Sequence, residues 1–266
     1  MMIVEGEADF LALKDHVDEA DVNIVPGNGK AIVVPAITLL NNDSVPDVIA
    51  LVDRDLEDHA GNPSPSYGNL FFTDRHDLDA TIFYTGSICD RIAYSFGGRS
   101  GIDGFLANGS CKTVAEAATL LALPLGALRL ISVRDGYDLP LKKFPLGEVT
   151  KGKSTIIDVN KMAQIAIQRC SGAVTIAPSD LAGKVLNELT RISDGMPFCS
   201  GHDLVRALTI ILRVHASYSV AADVLEKTLR AAFGCTELAS CVFFSQINVW
   251  RRENSRKIWR CATLAA

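Results

Sequence analysis

The chain has 266 residues, 48% of them apolar, and a formal net charge of −5. That is enough apolar material for a sizeable core in one large domain or two small ones. The charge excludes a global basic field, although local basic patches can still steer nucleic acid. Seven cysteines, at 89, 111, 170, 199, 235, 241 and 261, form no CxxC pair and no zinc-type spacing with histidine. They are expected to be reduced core thiols in a cytoplasmic protein. The longest uncharged apolar runs, 31–40 and 117–128, fall short of the ~18–20 residues of a membrane span. No signal peptide precedes the first strand, and a soluble protein with no membrane partner is expected.

In chain order, "MIVE" (2–5) reads as a short buried strand. "GEADFLALKDHVDEA" places Phe10, Leu11, Leu13 and Val17 at helical spacing. "VNIVP" (22–26) is a second strand closed by the turn "GNGK". Residues 31–42 follow as a helix, despite Pro35 and its β-branched residues. "DVIALVDRD" (47–55) is a third strand, "GNPSPSYG" (61–68) a loop and "NLFFT" (69–73) a fourth strand. This β-α-β-α-β-β order predicts an α/β fold with a parallel sheet flanked by helices. Ligands bind such sheets at the carboxyl ends of the strands, where the pattern puts Glu5, Asp53 and Asp55.

Beyond residue 90 the pattern becomes mainly helical. Thr113 and Glu116 stand at capping-box spacing ahead of a helix over 113–131, with Pro124 kinking or dividing it. Residues 130–146 read as extended, with an Asp-Gly turn at 135–136, giving a hairpin near 130–155. Helices are expected at 159–170, 179–193, 201–216 and 219–233. The stretch 243–260 is amphipathic and basic. The expected division is a catalytic domain over 1–90 and a helical portion over 91–266.

If Glu5, Asp53 and Asp55 converge, each close pair of negative charges costs about 4 kcal/mol at ~4 Å with an effective dielectric near 20. Protonation of one carboxylate offsets that cost. So does a bound Mg2+ or Mn2+, since such ions take hard oxygen ligands. An ion there would polarise a phosphoryl oxygen and lower the pKa of water, with Glu5 as ligand or general acid/base. The plain alternative is solvated or turn-capping acids at strand ends.

"VEGEAD" followed by "VDRD" resembles the TOPRIM motif pair, a glutamate ending the first strand and Asp-x-Asp ending a later one. That fold is shared by topoisomerases, primases, small nucleases and OLD-family nucleases. Within it, the chain is most similar to the bacterial TOPRIM-like family, long labelled a domain of unknown function, that includes the nuclease subunit of PARIS-type anti-phage systems. "PGNGK" (26–30), "FTDRHDLDATIF" (72–83) and "SGHDLVRAL" (200–208) resemble further family motifs, so the likeness touches residues 3 to about 215. It implies a Mg2+- or Mn2+-dependent endonuclease acting on DNA or RNA, tRNA included, as an effector of antiviral defence. Its implied partners are an ABC/AAA-type ATPase and a second copy of the chain. It makes Glu5, Asp53 and Asp55 catalytic and metal-binding, with Glu57 as a helper. Asp79 falls where the family has a glutamate, one methylene longer. Only Met1 to Val4 precede Glu5, fewer than in the family, so either the natural start lies upstream or the first strand is short.

Lys30, after Gly27 and Gly29, is a candidate phosphate contact in a turn with free N–H groups; the alternative is an exposed lysine. No glycine stands five residues before Gly29, so the turn is not a Walker A loop. His76, beside Asp74, Asp77 and Asp79, is a candidate proton carrier or ligand, and His202 starts a helix. Basic residues cluster at Lys142, Lys143, Lys151 and Lys153, and at Arg251, Arg252, Arg256, Lys257 and Arg260. Trp250 and Trp259 interleave the second cluster as stacking candidates for nucleic acid, or as core residues under a wet basic face. Three rival readings remain: a nucleotidyl-transfer or topoisomerase-type TOPRIM, a degenerate regulatory subunit, and a nucleotide-binding α/β domain. The first lacks a recognisable tyrosine-nucleophile domain or zinc ribbon, and the last lacks GxGxxG.

Overall fold

The computed structural model describes every residue except 62–64, 173, 174, 262, 263, 265 and 266, so part of the expected 61–68 loop lies outside the described residues. Four short strands, β1 (Met2–Val4), β2 (Ile24–Pro26), β3 (Ile49–Val52) and β4 (Leu70–Phe72), form one sheet in the order β2-β1-β3-β4. All three pairings are parallel. The side-chain period of two divides the strands between two apolar layers. Met2, Val4, Ile49, Leu51 and Phe71 join the large core, while Ile3, Ala50, Val52 and Leu70 join a smaller one. That smaller core is closed by Val33 and Ile37 of α2 (Lys30–Asn42). Before it, α1 spans Glu7–Leu13, shorter than its sequence pattern, because residues 14–16 tighten into a 3-10 turn.

Two short helices attach to the later strands: α3 (Glu57–Ala60) after β3 and α4 (Leu78–Tyr84) after β4. The rest of the chain is helical: α5 (Ile88–Asn108), α6 (Val114–Asp135), α7 (Leu146–Val149), α8 (Val159–Gln168), α9 (Pro178–Leu189), α10 (Gly201–His215), α11 (Ala222–Ala231), α12 (Cys235–Ala239) and α13 (Val242–Glu253). The α6 start follows the expected chemistry. Thr113 Oγ1 accepts from Glu116 N–H, and the Glu116 carboxylate reaches Lys112 N–H. Pro124 does not divide the helix, which runs on through it to Asp135. The hairpin expected near 130–155 is therefore corrected. Residues 130–135 are the last turns of α6, and Gly136 caps it at φ +70°. An Asp-Gly pair suits both structures because each needs a residue with positive φ. Burial of Leu130 and Ile131 against the core decides for the helix. The antiparallel pairing seen there is a single bridge, Thr150 to Ile157. By length and composition α6 is apolar enough to cross a membrane, and 67% of its apolar window is buried inside the protein.

The seven cysteines are thiols; four are buried and Cys170, Cys235 and Cys261 are half-buried. The segment after α13 crosses the amino-terminal ends of the strands. Ile258 O accepts from Asp18 N–H, Arg260 N–H donates to His16 O, and Arg256 and Lys257 pair with Asp47 and Asp18. Trp259 is 1% exposed, tilts against Phe244 at 4.9 Å between ring centres, and donates its indole N–H to Asn248. It is a core residue, not a platform for bases. Trp259→Ala is expected to cost about 3–5 kcal/mol of stability in urea unfolding; a loss under about 1 kcal/mol would contradict this packing.

Candidate functional site

The sheet order changes direction between β1 and β3: β1 is followed to one side by β2, and β3 to the other by β4. Such switch points open a crevice at the carboxyl ends of the strands. Glu5 follows β1 and Asp53 follows β3, so the two flank this crevice. They also touch: Asp53 N–H donates to Glu5 Oε2 at 3.0 Å. Asp53 Oδ1 accepts from Leu78 N–H at the start of α4, 3.1 Å away. A third carboxylate, Asp9 on α1, reaches back to Gly6 N–H at 2.8 Å. Burial, then Asp79, Glu5 and Asp77, push Asp9 up to about 6. Burial, followed by the charges of Asp77, Asp9, Glu5 and Asp55, raises Asp53 well above the ordinary aspartate range.

Sequence spacing missed Asp9. Its signal was present in "EGEAD", since residues 5 and 9 stand one helical turn apart if a helix starts at Gly6.

Asp55 does not join this group as the Asp-x-Asp spacing suggested. The strand ends at Val52, and Asp55 takes a left-handed backbone at φ +54°, with its N–H on His76 O. Its carboxylate turns to Lys30, 3.2 Å away, which also holds Glu57 at 2.7 Å. Lys30 is thus an internal cation, 11% exposed and seated over Phe72, rather than a free phosphate contact. The glycine turn is likewise engaged. Gly27 N–H donates to Val4 O and Gly29 N–H to Glu5 O, so neither is open to an anion. Glycine is needed at 27 for space: a Cβ would stand 2.2 Å from Val33 Cγ2.

The acidic motif after β4 is a junction between sheet and helices. Asp74 caps α13 by accepting from Val242 and Phe243 N–H. Asp77 caps α4 through Ala80 N–H and takes Gly201 N–H at the head of α10 with both oxygens. Asp79, expected among the metal ligands, is held through both oxygens by Arg230 of α11. Burial opposes ionisation of Asp77, but His76 and the two N–H groups outweigh it and lower its pKa; burial likewise works against charged His76, and Asp77 outweighs that and raises it. His76 Nδ1 stands 3.3 Å from Asp77 Oδ2 but off line, and among the described residues it is a buried atom with no hydrogen bond. His202 pairs with Glu226 on the helical surface. The glycine of "SGHDL" allows the junction, since a Cβ on Gly201 would lie 2.3 Å from Asp79 Cβ.

A cleft of about 560 Å3 opens at Asp55 and Glu57, not at Glu5, Asp9 and Asp53, and is lined also by His76, Arg129, Asp138 and Leu141 among others. Lys142 and Lys143 are exposed and follow Leu141 in the chain, next to this cleft. Lys151 and Lys153 are exposed further on. Arg252, Arg256, Lys257 and Arg260 are exposed and Arg251 is half-buried. Arg256, Lys257 and Arg260 engage residues that precede β3 and β2, at the opposite end of the sheet from Glu5 and Asp53. The basic residues 256, 257 and 260 therefore do not share the acidic face.

Charge balance distinguishes the acids. Lys30 compensates Asp55 and Glu57, Arg230 compensates Asp79, and His76 compensates Asp77. Glu5, Asp9 and Asp53 form no salt bridge among the described residues; backbone N–H groups meet them, and Arg230, paired with Asp79, also feels the charge of Asp9. Each keeps an oxygen with no hydrogen bond among the described residues. No three histidine, cysteine or acidic side chains among the described residues already stand in metal-ligand geometry. Glu5, Asp9 and Asp53 are hard-oxygen donors, the ligand type that small divalent cations take. No protein-family model matches the chain, and a search of curated proteins finds no match.

Raised aspartate pKa values carry a sign for stability. Between pH 3.8 and about 6 the folded state holds more protons at Asp9 than the unfolded chain does, so stability falls as pH rises through that window. Asp9→Asn removes this cost. Without divalent ions it is expected to gain about 1–3 kcal/mol at pH 7.5, the gain shrinking toward pH 4. Urea unfolding at both pH values checks this; equal stability of variant and wild type at pH 7.5 would contradict it.

Proposed function

We propose that the protein is a divalent-metal-dependent nuclease of the TOPRIM type, hydrolysing phosphodiester bonds in nucleic acid. One observation carries the reading: Glu5, Asp9 and Asp53 lie close enough to interact by charge, with no salt bridge among the described residues, at the switch point of a parallel sheet. Glu5 and Asp53 occupy the positions of the two TOPRIM motifs, and Asp9 adds a third oxygen donor. Mg2+ or Mn2+ held by these three would supply Lewis-acid polarisation of a phosphoryl oxygen. Burial and the neighbouring acids raise the pKa of Asp53, and a cation held there would favour its ionised form. Glu5 is fixed by Asp53 N–H through Oε2, which leaves Oε1 to orient an attacking water. The adjacent cleft, with Lys142 and Lys143 at its side, gives a path for a phosphate backbone. Asp55 and Glu57, tied to Lys30, line that cleft and act by positioning Lys30 rather than as ligands. The setting that the resemblance implies is cytoplasmic anti-phage defence, with a partner ATPase governing the nuclease.

The competing reading, a degenerate regulatory subunit, draws on Arg230 and Lys30, which already neutralise Asp79 and Asp55. Incubation with single-stranded and duplex DNA and RNA, with Mg2+, Mn2+ or chelator, tests the proposal. Wild type is expected to cleave only with an ion. Glu5→Gln and Asp53→Asn should lose at least the ~10–100-fold typical of changes at residues supporting a metal, with unfolding midpoints equal to or above wild type. Cleavage by Asp53→Asn at the wild-type rate would overturn the reading. Calorimetric uptake of Mn2+ without cleavage of any substrate would favour the regulatory subunit.

A further inference from the structure

A second concave site lies within the helical portion, apart from the acids. Gly98, at φ +69°, interrupts α5 and redirects its second half. That half, with α6, α9, the end of α10 and the loop 153–157, encloses an open cavity of about 1100 Å3. The volume is at or above the upper end of small-molecule sites.

Three features describe what the cavity would accept. First, its wall includes apolar side chains left in contact with water: Leu120 is 43% exposed, Leu186 49% and Ile156 59%. Clustered exposed apolar groups mark a binding surface more than isolated ones do. Second, no aspartate or glutamate lines it, in a chain with 31 of them; its ionisable groups are Lys153, His215 and Cys111. His215 stacks on Phe105 with ring centres 4.2 Å apart, and burial followed by Lys153 lowers its pKa. The fixed positive charge is therefore that of Lys153. Third, the other polar side chains on the wall, Ser100, Asn108, Ser110, Ser154 and Thr155, are neutral. Pro124 has no N–H to give the Leu120 carbonyl one turn earlier, and both residues border the cavity. A largely apolar wall with one exposed lysine complements one kind of small molecule.

We propose that this cavity binds an amphipathic monoanion, its apolar body against Leu120, Ile156 and Leu186 and its acidic head at Lys153. The site is independent of the acidic crevice and of the nuclease reading. Gly104 supplies the clean test, because a Cβ there meets nothing within 4 Å. Gly104 lines the cavity with open space at its Cβ, so a large side chain there is expected to take up cavity volume, and replacing a helical glycine favours the helix. Decanoate, below its micellar concentration, is the probe, titrated calorimetrically into wild type, Gly104→Phe and Lys153→Glu at matched folding by circular dichroism.

Wild type is expected to bind decanoate with a dissociation constant below 1 mM and to gain melting temperature. Gly104→Phe should lose both effects, and Lys153→Glu should weaken binding about tenfold, a ~1.4 kcal/mol change, while decanol binding is unaltered. Absence of binding to wild type at 1 mM, or equal binding by wild type and Gly104→Phe, overturns the proposal. So does sedimentation showing a wild-type dimer that Gly104→Phe makes monomeric, since a second copy would then be the occupant.

Discussion

Parallel pairing of β1 with β3 forces Glu5 and Asp53 to leave the sheet side by side. Two carboxylates at that distance repel, and nothing in the sheet can move them apart without breaking the register of Met2 with Ile49. The protein responds by burying Asp53 with a raised pKa and giving each acid a backbone N–H. Backbone dipoles soften the repulsion but do not remove it. The raised pKa of Asp53 is the mark this repulsion leaves, since a proton there relieves it.

Around that crevice the remaining acids have become structural. Asp74, Asp77 and Asp79 lie within six residues, and each ties down a different later helix: α13, α10 and α11. A loop that looks in sequence like a ligand set is in space a joint between the sheet and the helices. It also fixes the wall of the crevice, since Leu78, between Asp77 and Asp79, donates its N–H to Asp53. Helix packing and acid geometry are thus mechanically linked through one short segment.

Much of this was legible in the sequence. Apolar runs of three to five residues alternating with helical spacing gave the strands and their parallel arrangement, and Glu5 and Asp53 followed as strand ends. What failed was local backbone conformation. Asp55 looked equivalent to Asp53 because a strand repeats every two residues, but the left-handed turn at 55 ends that period. Asp135-Gly136 suited hairpin and helix cap alike, and only burial of Leu130 and Ile131 decides between them. Basic residues near the end looked like a nucleic-acid surface because their partners, Asp18, Asp21 and Asp47, lie more than 200 residues away in sequence. Such pairings leave no periodic trace.

The strap formed by residues 256–260 has a consequence for how the chain reaches this structure. Lys257 and Asp18 are 239 residues apart, and Ile258 closes against the segment before β2. The amino side of the sheet is completed only when nearly the whole length has been gathered, a loop closure with a large entropic barrier. Until then Val17 and Val22 lack their cover, and early species expose the same apolar edge that the finished molecule hides. Contacts this distant in sequence slow folding in general, and the strap adds several of them to the fold.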